Sequence, residues 1–64
     1  MRNNNIKLLI VERGLRQNWV AKQVGVTTTT LSQWATNRTQ PNAESLIKLM
    51  SVLECSPEDI YGKI

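Results

Sequence analysis

Between Gln17 and Trp34 the chain reads QNWVAKQVGVTTTTLSQW, two short apolar stripes parted by one glycine, and few folds accommodate that pattern. Val20, Ala21 and Val24 fall at i, i+1 and i+4, a narrow apolar face on a helix of about two turns. Gly25 follows the last of them. A glycine just past a helix end takes positive φ without a Cβ clash, so it can turn the chain there. Val26 is left to plug the corner. Thr27 is placed to cap a second helix, its hydroxyl accepting an orphan N–H, and Leu31, Trp34 and Ala35 supply that helix's inward stripe. The second helix is expected to start near Thr28 and to occupy residues 28–36.

The outward side of this second helix is unusual. At about 100° per residue, Thr29, Ser32, Gln33 and Thr36 lie opposite Leu31, with Thr28 at the exposed N-terminal end. All are neutral hydrogen-bonding residues, whereas a solvated helix face carries Glu and Lys in i, i+4 pairs. Four consecutive threonines also make a poor helix start on propensity. Threonine offers a hydroxyl and a methyl, suited to a phosphate oxygen or a thymine methyl, and glutamine can be bidentate to adenine. Such a face can read base edges.

Charge adds a second constraint. The 64 residues carry a net +3, distributed unevenly. Up to residue 40 the chain holds Arg2, Lys7, Arg13, Arg16, Lys22 and Arg38 against Glu12 alone; after it, Lys48 and Lys63 face Glu44, Glu54, Glu58 and Asp59. A basic half that contains the candidate reading helix points one face at a polyanion. Catalysis is not expected. The chain has no histidine and five carboxylates that read as caps or surface, and it lacks a Gly-rich phosphate loop. One cysteine, Cys55, forms no internal disulfide and reads as a small buried hydrophobe; without histidine no metal set is suggested, and no cofactor is expected. No apolar run approaches the ~20 residues of a membrane span and MRNNN is no signal peptide, so a cytoplasmic protein is expected.

The flanks read as further helices. Asn3, Asn4 or Asn5 can cap a first helix whose Ile6, Leu9, Ile10 and Arg13 stem repeat at helical spacing, with Gly14 ending it and Leu15 packing beneath the second helix. Trp19 lies off the Val20 stripe and is expected to be partly exposed, packing against the first helix or a partner. Pro41 and Asn42 mark another start, with Glu44 in the first turn, and Leu46, Leu49, Met50 and Leu53 form the strongest amphipathic stripe of the chain. Ser56 and Pro57 open a short last helix that runs through Ile60 and Tyr61 to Gly62. A single domain spanning residues 1–64 is expected, and a domain of this size buries only about 60% of its unfolded surface.

These residues carry a resemblance. GLRQNWVAKQVGVTTTTLSQW resembles the helix-turn-helix of the phage Cro and repressor family and its XRE-type bacterial relatives. That family's pattern is met at Gly14, Leu15, Gln17, Val20, Ala21, Gly25, Val26, Thr27, Leu31 and Trp34. TNRTQPNAESLIKLMSVLECSPEDIY fits the polar turn, proline and two short helices that follow, so the resemblance covers most of residues 5–61. It implies an all-α, compact five-helix bundle of the lambda-repressor type. It further implies a sequence-specific regulator of transcription, a repressor bound to double-stranded DNA with helix 28–36 in the major groove.

On this reading Thr28, Thr29, Ser32 and Gln33 contact bases, while Arg16, Gln17, Thr27, Thr36, Asn37 and Arg38 contact the DNA backbone. The glutamine's role is the family's, carried to Gln17, where a helix N-terminus also favours a phosphate. Two positions depart from the pattern. Arg16 stands where the family has a capping Ser, Thr or Asn, and loss of such a cap costs ~1 kcal/mol. Ala35 replaces a glutamate and removes any ion pair from that place, whereas Asn37 can replace the family's glycine because asparagine tolerates the left-handed conformation. Surplus apolar residues at the end, Cys55, Ile60, Tyr61 and Ile64, suggest a homodimer interface and hence an inverted-repeat operator. The alternative is an antitoxin-like or regulatory subunit whose main task is contact with a protein partner through Trp19 and the C-terminal apolar residues.

Overall fold

The computed structural model describes residues 3–62, and among these there are five α-helices and no strand: α1 (Ile6–Glu12), α2 (Gln17–Val24), α3 (Thr28–Ala35), α4 (Ala43–Leu53) and α5 (Pro57–Tyr61). Three helix starts follow the capping chemistry expected of them, while at α1 Asn5 holds the cap position without a side-chain cap bond. The Thr27 hydroxyl accepts from the Thr30 N–H at 3.1 Å, and the Asn42 side chain accepts from the Ser45 N–H at 2.8 Å. At α5, Ser56 and Asp59 bond reciprocally as a capping box, with Pro57 in the first turn. Arg16 at the start of α2 makes no side-chain cap, as its chemistry dictates.

Four helices end in one way. In α1, α2, α3 and α4 the chain closes with an N–H reaching back to the fifth residue before it: Leu15 to Ile10, Val26 to Ala21, Arg38 to Gln33 and Cys55 to Met50, at 2.9–3.0 Å. Each closure needs a residue at positive φ just before it. Gly14 and Gly25 provide two, at φ 65° and 87°, while Asn37 and Glu54 take φ 62° and 50°. Helix α3 stops one residue short of the expected 36, because Thr36 is already the cap.

α2 is the central element and packs against α3 and α4, while α1 packs against α3 and α5. The core comprises the expected stripes, Ile6, Leu9 and Ile10 from α1, Val20, Ala21 and Val24 from α2, Leu31, Trp34 and Ala35 from α3, with Leu49 and Leu53 from α4. Ile60 of α5 completes it. Leu15, Val26, Leu46 and Met50 are half-buried against this core. The Arg13 guanidinium donates through Nε to the Leu53 carbonyl, so the C-terminal end of α4 is held by a cation from the end of α1.

The expected dimer set needs correction. Ile60 has no exposed surface within the single chain, so its side chain is core and not interface. Ile64 lies outside the described residues. Cys55 and Tyr61 are half-buried against the core, which leaves each a partial outer surface. Apolar surface does emerge elsewhere, at Leu8, Val11, Trp19 and Ile47.

Burial raises the ionisation points of the Cys55 thiol and the Tyr61 phenol. Arg13 partly opposes the rise at Cys55, and Asp59 adds to it. Both groups hold their protons longer in the folded chain than in the unfolded one. Their contribution to stability is therefore complete at neutral pH and is lost as pH climbs through the ordinary thiol and phenol range, roughly 8.5 to 10, and above it. Thermal melts should show a falling midpoint above about pH 8.5, and the double variant Cys55→Ala, Tyr61→Phe should flatten that fall. An equally steep fall in the double variant would assign it to other groups.

Candidate nucleic-acid interface

The polar face of α3 is uncovered. Thr28, Thr29, Ser32, Gln33, Thr36 and Arg38 line one open depression, with Thr28, Thr29, Gln33, Thr36 and Arg38 exposed and Ser32 half-buried. The face is held by the opposite stripe: Leu31 is 0% exposed and Trp34 6%, so α3 cannot roll without opening the core. Its N-terminal half is set by the turn at Gly25, and its register by Thr27, whose hydroxyl also meets the Thr30 hydroxyl at 3.0 Å.

Arg38 lies in the turn just beyond α3, at the rim of the depression. Arg16 is exposed at the start of α2 and Gln17 is half-buried beside it. The one ion pair among the described residues is Glu44–Lys48, at 3.4 Å on the outer side of α4. Arg16, Lys22 and Arg38 thus have no carboxylate partner among the described residues, and their charge is available to an anion. Neutral hydrogen-bonding groups in the depression, with arginine at its edge, match the division of labour between base edges and phosphates in a duplex.

Three residues expected to contact the DNA backbone also bond within the chain. The Thr36 hydroxyl donates to the Ser32 carbonyl at 2.9 Å, which uses its proton. The Thr27 hydroxyl is engaged with Thr30 in the helix cap. Asn37 turns its amide inward: Oδ1 accepts from the Asn4 N–H at 2.7 Å and from Gln40 Nε2 at 3.1 Å. Thr27 thereby shapes the start of the reading helix, and Thr36 and Asn37 its end.

Sequence reasoning missed the group on which Asn37 closes. Asn4 is only 6% exposed, the one buried polar side chain among the described residues. Its Nδ2 donates to the Trp34 carbonyl at 2.8 Å and to Gln40 Oε1 at 2.7 Å, and its Oδ1 accepts from the Ile6 N–H at 3.0 Å. Tyr61 donates from its hydroxyl to the same Gln40 oxygen at 3.1 Å. Apart from Ile6 its partners lie 30 or more residues away, so the only local signal is the run Asn3, Asn4, Asn5, which reads as a helix start and nothing more.

The fold and this face together define a member of the helix-turn-helix family, and the chain belongs to it: the family's pattern matches residues 6–60. Among individual proteins, the chain is 43% identical over 44 residues to repressor protein C2 of Salmonella phage P22; the match takes in 69% of the chain and 20% of the repressor. The chain thus spans about a fifth of the length of that relative. The solved structure of the P22 c2 repressor protein in complex with a synthetic operator superposes with TM-score 0.82 at 36% identity, covering 91% of this chain and 89% of that one. A candidate DNA-binding protein from Bacteroides fragilis superposes with TM-score 0.87 at 32% identity, covering 94% and 97% respectively.

Proposed function

We propose that this chain is a sequence-specific regulator of transcription, a repressor that occupies double-stranded DNA with α3 in the major groove. The observation that carries the proposal is the uncovered face of Thr28, Thr29, Ser32 and Gln33, free of charge and bordered by Arg38. A B-form major groove about 12 Å wide admits one helix, and those side chains are the ones that would reach base edges. Arg16, Gln17 and Arg38 are assigned to phosphates on either side. The solved P22 c2 repressor complex, with an operator bound to a chain of this fold, supports the same reading. The role is binding and not catalysis, as the family membership implies.

The regulator acts as a homodimer in this proposal, with Cys55 and Tyr61 at the edge of the shared surface. Two copies would set their reading helices about 34 Å apart, one DNA turn, and the operator would be an approximate inverted repeat. Selection from a random duplex pool tests both parts together. The expected product is a palindromic consensus with half-sites 10–10.5 base pairs apart, roughly. A pool that stays unselected, with every sequence bound at about 10⁻⁴ to 10⁻⁶ M at physiological salt, would favour the protein-contact role instead. A mass of one chain at micromolar concentration would remove the dimer.

A further inference from the structure

We propose that Asn4 is a positioning residue for DNA binding, which locks the turn carrying Arg38 against the body of the protein. This rests on the reading of α3 and Arg38 as the DNA face. Arg38 itself is exposed and has no carboxylate partner among the described residues, so nothing at its own side chain fixes where its charge sits. What is fixed is the turn behind it. Asn37, at φ 62°, takes a backbone conformation disfavoured for a residue with a Cβ. Asn4 meets that turn at three points: its N–H donates to the Asn37 side-chain Oδ1, and its Nδ2 donates to the Trp34 carbonyl in the last turn of α3 and to Gln40 Oε1 beyond the turn. All of its polar atoms are satisfied, and no buried side-chain polar atom among the described residues lacks a partner.

Ala35 offers no charge at this end of α3, and the link there is made of neutral amides. A neutral, buried, multiply bonded amide holds the end of a helix without the desolvation cost of a buried charge pair. It also reaches further, since Gln40 accepts from Tyr61 and so connects the turn to α5. None of the hydrogen bonds of Asn4 goes to Thr28, Thr29, Ser32 or Gln33, so its effect on DNA passes through the position of the turn.

The test uses Asn4→Asp, which keeps the acceptor for the Ile6 N–H but replaces the two donated bonds with a second oxygen, and Gln40→Ala, which removes the Gln40 bonds to Asn4, Asn37 and Tyr61 and leaves the α1 start intact. Hydrogen exchange on the free protein gives the first readout. The Arg38 and Thr39 amides, which donate to the Gln33 carbonyl, should exchange roughly tenfold faster in both variants, while the Leu49 and Leu53 amides change by much less. Duplex binding gives the second. Affinity should fall roughly 3- to 10-fold on all sequences alike, with a shallower salt dependence and the same consensus. Exchange at Arg38 and Thr39 that is unchanged, or that rises only in step with the core, would overturn the proposal whatever DNA does. If Asn4→Asp fails to fold, Gln40→Ala decides by the same criterion. A wild-type chain without sequence preference would remove the regulator reading, and the exchange result would still decide whether Asn4 holds the turn.

Discussion

Leu31→Ala is expected to remove a large share of the protein's stability. The side chain has no exposed surface and sits where α2, α3 and the core meet, so its removal leaves a cavity that two short helices cannot easily collapse into. Truncation of such a leucine costs about 2–5 kcal/mol. A chain of this length has a total stability of roughly 3–10 kcal/mol at ordinary values per residue, so the loss is of the same order as the whole. Urea unfolding followed by far-ultraviolet circular dichroism would show the midpoint falling toward zero, with an unchanged slope wherever a transition survives. Thr29→Ala, on the exposed side of the same helix, should change stability by less than about 0.5 kcal/mol. A loss below about 1 kcal/mol for Leu31→Ala would mean that α3 is not anchored as described.

The contrast between these two positions explains how far the sequence could be read. Helical periodicity assigns each residue of α2, α3 and α4 to an inner or outer side, and the buried residues of those helices follow it. Gly25 and Asn42 announce the helix ends by their own chemistry. Glu54 does not: it takes φ 50° to close α4, and no local preference of glutamate signals this. Helix α4 imposes it, because the chain must reverse there to bring Ser56 to the start of α5. Ile60 shows the other limit. An apolar residue in a short terminal helix has equal reason to face its own core or a second chain, and only the tertiary arrangement, with the Asn5 N–H donating to the Ile60 carbonyl at 2.7 Å, shows that α5 folds back on α1.

The polar residues divide along the same line. Composition identified α3's outer side as a face without charge, and Thr28, Thr29, Ser32, Gln33 and Arg38 do line one depression. It could not distinguish outward donors from those already engaged. Thr36 satisfies a carbonyl one turn back and Asn37 satisfies Asn4, and a hydroxyl or amide reads the same in sequence whichever it does. Hydrogen bonds do this sorting, local ones at Thr27 and Thr36 and a long-range one at Asn37, and periodicity carries no information about either kind.

Gln33→Ala and Arg38→Ala should weaken DNA binding in different ways, and the difference tests the proposed function at the level of single side chains. Gln33 is exposed in the depression of α3 with a carbonyl and an amide to offer, so in a groove it can form a bidentate pair with one base. Its loss should cost about 1–3 kcal/mol on the preferred duplex and relax selectivity at one position of each half-site, with little change on unrelated DNA. Arg38 offers a charge at the rim. Its loss should weaken every duplex by a similar factor and lower the slope of log affinity against log salt by about one, the signature of one neutralised phosphate. Neither residue contributes to the core, so melting midpoints should stay close to those of the unmodified chain. Titrations of matched and scrambled duplexes at two or more salt concentrations separate the two effects. Equal loss on every sequence from Gln33→Ala would refute base readout by this helix, and a position-specific loss from Arg38→Ala would move the arginine from the phosphates into the groove.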